Sequence, residues 1–452
     1  MITTDNRQTT APTANPREPE AAHVLSEFER LLTEPGCPSC RHVAEIERSF
    51  FSWFEIESHT SAEVQAQLRS AMGMCPAHAR RLLAGVGEGH VMTIVMREAL
   101  AGARLALRPD GHVGPCPACE SIAFGTRHAR TLLIDGLRDP ALARQYAEHD
   151  GVCLVHLLDV LPAADPPRIK LLAERLLRSL HNRDGTTLVG LLAGLDADAE
   201  RRAMWRERLP HLSATGSTVQ RLNERLELDT CPVCLAAGIA GRDYLEWLVR
   251  HSAEHDPSLS TDPGELCAAH LHDVALADPS EEPNRAVQRK RAGRIAQLER
   301  FLARLPDAPA PERRRRRSGP DALETIRSEL LAAPHCAACH ARDGVERAQH
   351  DLVAASLGLV TVRDRYERGH GLCVPHARQV SDGPAGRVVR HHADGRLAVI
   401  AWEVHETARK YAWAFRHESS GPERGGWLRG LAQIDGRVFE GGPAGAGDDG
   451  DG

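Results

Sequence analysis

Aromatic residues make up only 4% of this 452-residue chain. That is too few for the half-buried pleated surfaces that strands favour. Ala, Leu, Arg and Glu dominate instead, and these are strong helix formers. The expected fold class is therefore all-α. Apolar runs of about 18 residues, the length needed to cross a bilayer, are also missing, so no transmembrane helix is expected. The polar, proline-bearing stretch from Met1 to Ala22 lacks the apolar core of a secretory signal. A cytoplasmic location, with thiols kept reduced, is the expectation. The net charge of −6 is too mild to argue for a nucleic-acid or membrane partner. Also lacking are a glycine-rich phosphate loop, an HExxH helix and a nucleophile elbow, so no enzyme site is expected.

Against these absences stand twelve cysteines. In a reducing compartment metal ligation or redox chemistry explains them better than disulfides do. All twelve obey one pattern. The first unit is Cys37-Pro-Ser-Cys40, then Cys75-Pro-Ala-His78; the second is Cys116-Pro-Ala-Cys119, then Cys153-Leu-Val-His156. The third is Cys231-Pro-Val-Cys234, then Cys267-Ala-Ala-His270; the fourth is Cys336-Ala-Ala-Cys339, then Cys373-Val-Pro-His376. From second to third cysteine the steps are 35, 34, 33 and 34 residues. Three thiolates and one imidazole form a closed zinc shell. Soft sulfur donors exclude magnesium and calcium and leave zinc, iron–sulfur or Cu(I). About four zinc ions per chain are expected, with an iron–sulfur cluster as the alternative cofactor.

The flanking sequence predicts one supersecondary unit. Pro38 suits the first turn of a helix, and the pattern is helical from Ser39 to Ser58. A second helix, Ser61 to Met72, runs back; Gly73 suits its C-cap, and Cys75-Pro76 opens a third. On this reading one helix leaves the site and the next returns the chain to it, so each site closes within its unit. The alternative is a Cys-x-x-Cys meeting the Cys-x-x-His of a neighbouring unit. If Cys37, Cys40 and Cys75 do not surround one point with His78, the unit reading fails. Gly151 and Gly371 hold the place of Gly73, whereas the third unit has Glu265 there and Pro257 and Pro263 before it, which predicts a loop. Helix N-termini at the ligand pairs favour thiolate over thiol.

Apolar positions repeat with the ligands. Trp53, Leu132, Trp247 and Leu352 stand thirteen residues after the second cysteine, with Phe54, Leu133, Leu248 and Val353 next. Leu82, Val160, Val274 and Val380 stand four after the histidine, one helical turn from the ligand. All are expected in the core. The alternation of Trp and Leu at the thirteenth position hints at two similar halves, each of two units.

The chain divides accordingly. Residues 1–21 are read as a disordered tail, 22–215 as the first helical half with units one and two, and 216–305 as unit three. Residues 306–320 form a Pro/Arg-rich linker, 321–438 unit four, and 439–452 a disordered, acidic, glycine-rich tail. Within the first half Pro166 to Leu209 supplies extra helices, with Leu171, Leu172, Leu176, Leu177 and Leu180 as a packing face. Arg313 to Arg317 offer phosphate or lipid contacts, but a solvated linker is the simpler reading, so nucleic acid is not an expected partner. Asp448-Asp449-Gly450-Asp451 lacks the downstream Glu of a calcium loop.

The paired signature, CP-x-C followed by G-x-C-x-x-H, resembles a family of bacterial proteins known only as a domain of unknown function. The matching residues are the sixteen ligands with Gly73, Gly151 and Gly371, covering about Glu27 to Val380. Cys336-Ala337 departs from the CP form and the third unit lacks the glycine. The resemblance implies a helical, metal-binding protein without a known activity.

Four protein donors leave no open coordination position for substrate or water, which argues against zinc hydrolysis. The expectation is a non-enzymatic, metal-stabilised interaction module with a protein partner. A thiol-based zinc redox sensor and an iron–sulfur electron-transfer or redox-sensing protein are the alternatives. His42, His272 and His340 lie beside ligands as spare imidazoles. Cys336-Ala-Ala-Cys339-His340 has the form of a c-type haem attachment site, read as coincidence because no other pair is followed by histidine.

Overall fold

The structure, a computed structural model, describes residues 18–86, 90–194, 217–253, 266–277, 285–305, 336–380, 383–415, 417–419 and 421–436. Within them the chain is all helix and turn, with no strand. Pro257, Pro263, Glu265, the arginines 313–317, residues 1–17 and the C-terminal tail lie outside the described residues, whereas residues 18–21, read as the end of a disordered tail, are helical. No described helix is long and apolar enough to cross a membrane.

Each Cys-x-x-Cys opens a long helix. After α1 (Glu18–Leu31), these are α2 (Pro38–Ile56) and α6 (Pro117–Gly136) in the first part of the chain. In the later part, after α11 (Thr218–Leu226), they are α12 (Pro232–Ala253) and α15 (Ala337–Ser356). The first cysteine stands directly before each helix, as the N-cap of α2, α6 and α15, and in α2, α6 and α12 a proline opens the first turn. Proline has no N–H to lose there and its φ is already helical. Among the described residues, short return helices follow α2, α6 and α15: α3 (Ala62–Ser70), α7 (Pro140–Glu148) and α16 (Val360–Arg368). The Cys-x-x-His pairs then open α4 (Pro76–Val86), α8 (Leu154–Val160), α13 (Ala268–Ala277) and α17 (Val374–Gln379).

α2 and α6 run antiparallel. His42 meets His128 at 3.1 Å, and a Cβ on Gly125 would lie 3.0 Å from Ile46 Cγ1, so a glycine there lets the helices approach closely. α12 and α15 pair likewise, in the most extensive helix contact among the described residues. Each Cys-x-x-Cys therefore stands at the far end of its helix from that of the partner helix.

Among the described residues six more α-helices follow. α5 (His90–Ala106) follows α4, and α9 (Pro166–Asn182) and α10 (Gly185–Ala193) follow α8. α14 (Arg285–Arg304) follows α13, and α18 (Pro384–Tyr411) and α19 (Gly426–Asp435) follow α17. The later helices of each part pack on the other part: α9 on α14, α10 on α13, and α18 and α19 on α5. Two hydrophobic cores result, and neither belongs to one stretch of chain. One joins Phe54, Leu82 and Met96 to Val353, Tyr366 and Leu397. The other joins Leu133, Leu157 and Leu176 to Leu248, Val274 and Phe301.

Most of the repeated apolar positions occupy these cores; Trp247 and Leu352 are half-buried against them, and Trp53 is not buried. Phe54, Leu133, Leu248, Val353, Leu82, Val160, Val274 and Val380 are all buried, as is Leu132. Trp53 instead is 51% exposed: it sits one residue off the buried stripe of α2, which Phe51 and Phe54 fill. Of the leucines expected as a packing face, Leu172, Leu176 and Leu180 are buried on α9, and Leu171 and Leu177 flank them.

Candidate metal centres

The sixteen ligand candidates gather into four groups of three cysteines and one histidine, but not within their units. The first centre is Cys37, Cys40, Cys153 and His156; the second is Cys75, His78, Cys116 and Cys119. The third is Cys231, Cys234, Cys373 and His376; the fourth is Cys267, His270, Cys336 and Cys339. Every Cys-x-x-Cys meets the Cys-x-x-His of the neighbouring unit, which corrects the closed-unit reading. The reason is length. α2 has 19 residues and carries the chain roughly 28 Å at 1.5 Å per residue. α3 has nine and brings it back less than half as far. Cys75 is thus left at the far end of α2, where antiparallel α6 begins with Cys116.

The donor atoms converge tightly. In the first centre Cys40 and Cys153 sulfurs lie 3.6 Å apart, and His156 Nδ1 lies 3.6, 3.4 and 3.3 Å from Cys37, Cys40 and Cys153. In the second, Cys75 and Cys119 are 3.7 Å apart, with His78 Nδ1 3.1–3.5 Å from all three sulfurs. The third and fourth give sulfur separations of 3.7 and 3.8 Å and sulfur–Nδ1 distances of 3.1–3.5 and 3.3–3.4 Å. A tetrahedron with metal–sulfur bonds of about 2.3 Å and a metal–nitrogen bond of about 2.0 Å has edges of roughly 3.75 and 3.5 Å. The four groups fit the binding of a single tetrahedral metal ion each.

The side chains by themselves already separate charge at these points. Hydrogen bonding from Cys75, against burial and with help from His78, pulls the Cys116 thiol down to about 3. Cys267 and, against burial, His270 pull Cys336 down to about 2. In Cys37 and Cys231 burial pushes the thiol up, but the neighbouring thiols and histidine outweigh it and hold both well below the usual range. These four are the first cysteines of the four pairs, at helix N-termini, where free N–H groups favour thiolate. Cys40 N and Cys339 N each donate to the first sulfur of their pair at 3.5 Å. Burial lowers the opposing imidazoles, yet the thiolate of Cys37 raises His156 to about 10, and Cys116 with Glu47 raises His78 to about 9.

All four histidines turn Nδ1 inward, which frees Nε2 for a partner. His78 Nε2 stands 3.5 Å from Glu47, and His376 Nε2 3.1 Å from Glu346. Carboxylates behind a ligating imidazole fix its tautomer and raise its basicity. Glu47 is held in turn by the buried Arg81, whose guanidinium lies 4.6 Å over the Phe51 ring. Sequence reasoning missed both carboxylates. Their signal is a glutamate seven residues after the second cysteine in units one and four, where Thr126 and Gly241 stand in the others.

The loops that deliver the third cysteine are built alike. Gly73, Gly151 and Gly371 all have positive φ, at 92°, 86° and 70°. In two of these loops a fully buried tyrosine, Tyr146 or Tyr366, accepts the N–H of the residue before the cysteine at 3.0 or 3.1 Å. Two further glycines press on the centres from later helices. Gly194, after α10, lies near Cys40, and Gly436, after α19, lies against Cys234 and Cys373.

Of the spare histidines, His42 is buried and faces Glu27 and His128. His272 lies 3.1 Å from the Gly194 carbonyl, and His340 is exposed. Cys336 and Cys339 face Cys267 and His270, so His340 takes no part in their group. Comparison of the chain with protein-family models, with curated proteins and with solved structures finds no match in any of the three.

Proposed function

We propose that the four centres each hold one zinc ion in a structural role, and that the chain is a non-enzymatic, metal-stabilised interaction module. The observation that carries this is the closure of each group at the edge lengths of one zinc tetrahedron. All four donors come from the chain, so a bound ion has no open position for substrate. The ion would join helices that sequence keeps apart: α2 to α8, α6 to α4, α12 to α17, α15 to α13. Its chemistry there is cross-linking, worth about 10–16 kcal/mol of folding free energy per structural site. The matching order of helices after each Cys-x-x-Cys supports two similar halves, each of two interlocked units. The signature's resemblance to metal-binding bacterial chains of unknown function points the same way.

A cluster of two or four irons spreads its thiolates over several metal atoms. Donors that all meet at one tetrahedral point argue against it. Protein purified without air or added metal is expected to carry about four zinc ions per chain and no colour. Iron with acid-labile sulfide and absorbance near roughly 400 nm would overturn the reading.

One observation favours a second reading, the zinc redox sensor, at a single place. Cys119 is exposed, so an oxidant reaches the second centre before the first. Mild peroxide should then release one zinc well ahead of the rest. Retention of all zinc until the protein unfolds would leave only the structural role.

A further inference from the structure

Three side chains that belong to none of the four centres meet where α1, α2 and α6 pack together. They are Glu27, His42 and His128, and one donor atom from each lies within 4.8 Å of the other two. His42 Nε2 and His128 Nδ1 are 3.1 Å apart. Two metal–nitrogen bonds of about 2.0 Å that meet at a tetrahedral angle place their nitrogens roughly 3.3 Å apart. The two imidazoles thus already stand at the spacing of two ligands on one ion. Glu27 Oε1 approaches the same His42 ring to 3.3 Å on its Nδ1 side. His23, one turn earlier on α1 and largely exposed, stands 4.0 Å from that carboxylate.

The contact between His42 and Glu27 is close without being an aligned hydrogen bond. His42 is 3% exposed, and its buried Nδ1 has no hydrogen-bond partner despite the short approach. A buried polar atom in that state marks a place where a water or an ion completes the structure. Glu27 is half-buried and has a long side chain. Turning its carboxylate onto an ion between the two imidazoles breaks no hydrogen bond with the ring. Arg30, one turn after Glu27 on α1, is forked onto Glu45 instead, at 2.9 and 2.6 Å.

The fold does not need these imidazoles. His42 and His128 stand two and nine residues after the second cysteines of their pairs, and the antiparallel packing of α2 on α6 brings those positions together. The same two positions recur three more times in the chain. They hold Ser121 and Ser49 on the same helix pair, and Ala236 with Ala348 and Ala341 with Asp243 on α12 and α15. Serine, alanine and aspartate serve those crossings, so paired histidines are peculiar to this one corner.

We propose that Glu27, His42 and His128 bind a fifth metal ion, a first-row divalent cation in a nitrogen–oxygen shell. Two imidazoles and one carboxylate suit zinc, nickel, cobalt or iron(II). Unlike the four cysteine centres, three donors leave a position for water or a small ligand. The test is equilibrium dialysis of the full, zinc-loaded chain against Co2+, with zinc and cobalt counted on the same sample and the visible spectrum recorded. One saturably bound cobalt per chain is expected with all zinc retained, and with weak bands in place of the strong sulfur-to-cobalt charge transfer of a thiolate shell. His42→Ala and His128→Ala introduce the residue type that Ala236 and Ala348 supply in the later helix pair. Each should weaken cobalt binding tenfold or more while zinc content holds. Should either variant unfold, Glu27→Gln, at a half-buried position, carries the same reading. Absence of saturable uptake, or uptake unchanged in the variants, overturns the proposal and leaves a polar contact among three helices. Cobalt that enters only in exchange for zinc, with charge-transfer bands, overturns it too. If the purified chain holds no zinc, cobalt also fills the cysteine centres. The variants should then still lack one ion that carries no sulfur bands, so this proposal and the zinc reading fail separately.

Discussion

The first and second centres use the same donors on the same antiparallel helix pair, yet they sit in different surroundings. At the first, Cys37, Cys40 and Cys153 are all buried, and Gly194 closes over Cys40. At the second, Cys119 is exposed and Cys75 half-buried, while His78 is backed by Glu47. The later part repeats the contrast. The third centre is buried under Gly436 and the fourth is more open, with Cys267, His270 and Cys339 all partly exposed. Thus the centre that joins the first Cys-x-x-Cys of a part to its second Cys-x-x-His lies deep, and the other lies near the surface. Burial follows from what comes next in the chain, since α10 and α19 end on the deep centres.

The largest expected effect breaks this comparison at its deep end. Cys153→Ala removes a fully buried donor. A structural zinc contributes about 10–16 kcal/mol, comparable to the roughly 5–15 kcal/mol net stability of a whole protein. The variant should lose one zinc and its cooperative thermal unfolding, whereas Cys119→Ser should keep a folded chain that exchanges one zinc faster. Metal analysis with calorimetry decides it, and equal damage in both variants would erase the distinction.

A smaller effect separates the two glycine lids. A Cβ on Gly436 would lie 2.4 Å from Cys234 Sγ and 2.7 Å from Cys373 Sγ, while one on Gly194 meets nothing nearer than 3.8 Å. Both have positive φ, so alanine at either costs about 1–3 kcal/mol in backbone strain. Only Gly436→Ala also displaces ligands. It is expected to bind three zinc ions and Gly194→Ala four.

The mildest effect sharpens the role of the buried carboxylate. Glu47→Gln should lower metal affinity at the second centre by about 10–100-fold, read by competition with a chromogenic chelator. Affinity at the first centre, where Thr126 holds the equivalent position, should not change. A uniform weakening of all four centres would mean that Glu47 acts through the fold, by its contact with Arg81, rather than through His78.

Much of the site was legible in the chain. Donor type, pairing in steps of three, proline after the first cysteine and positive-φ glycines before the third are local features, and each is found where local chemistry puts it. The helix starts were legible for the same reason. Closure was misread, although the clue was present. A helical stretch from Ser39 to Ser58 outruns one from Ser61 to Met72, so the second cannot bring the chain back to its start. Trp53 was misassigned because thirteen-residue periodicity marks a repeated position without fixing which side of a helix faces the core. Glu47 and Glu346 were overlooked because their one signal, the shared seventh position after the second cysteine, occurs in only two of the four units, and nothing in one sequence ties a mid-helix glutamate to a histidine some thirty residues on.

What the sequence by itself determined is the helical class, the sixteen cysteines and histidines that gather as candidate donors, and the N-terminal helix positions that favour thiolate. These depend on interactions within a few residues. Only the tertiary structure decided which donors meet, which centres are buried and where Glu27, His42 and His128 converge. Those outcomes depend on helix lengths and on the antiparallel packing of segments from 38 to 290 residues apart, whose contacts no local pattern encodes.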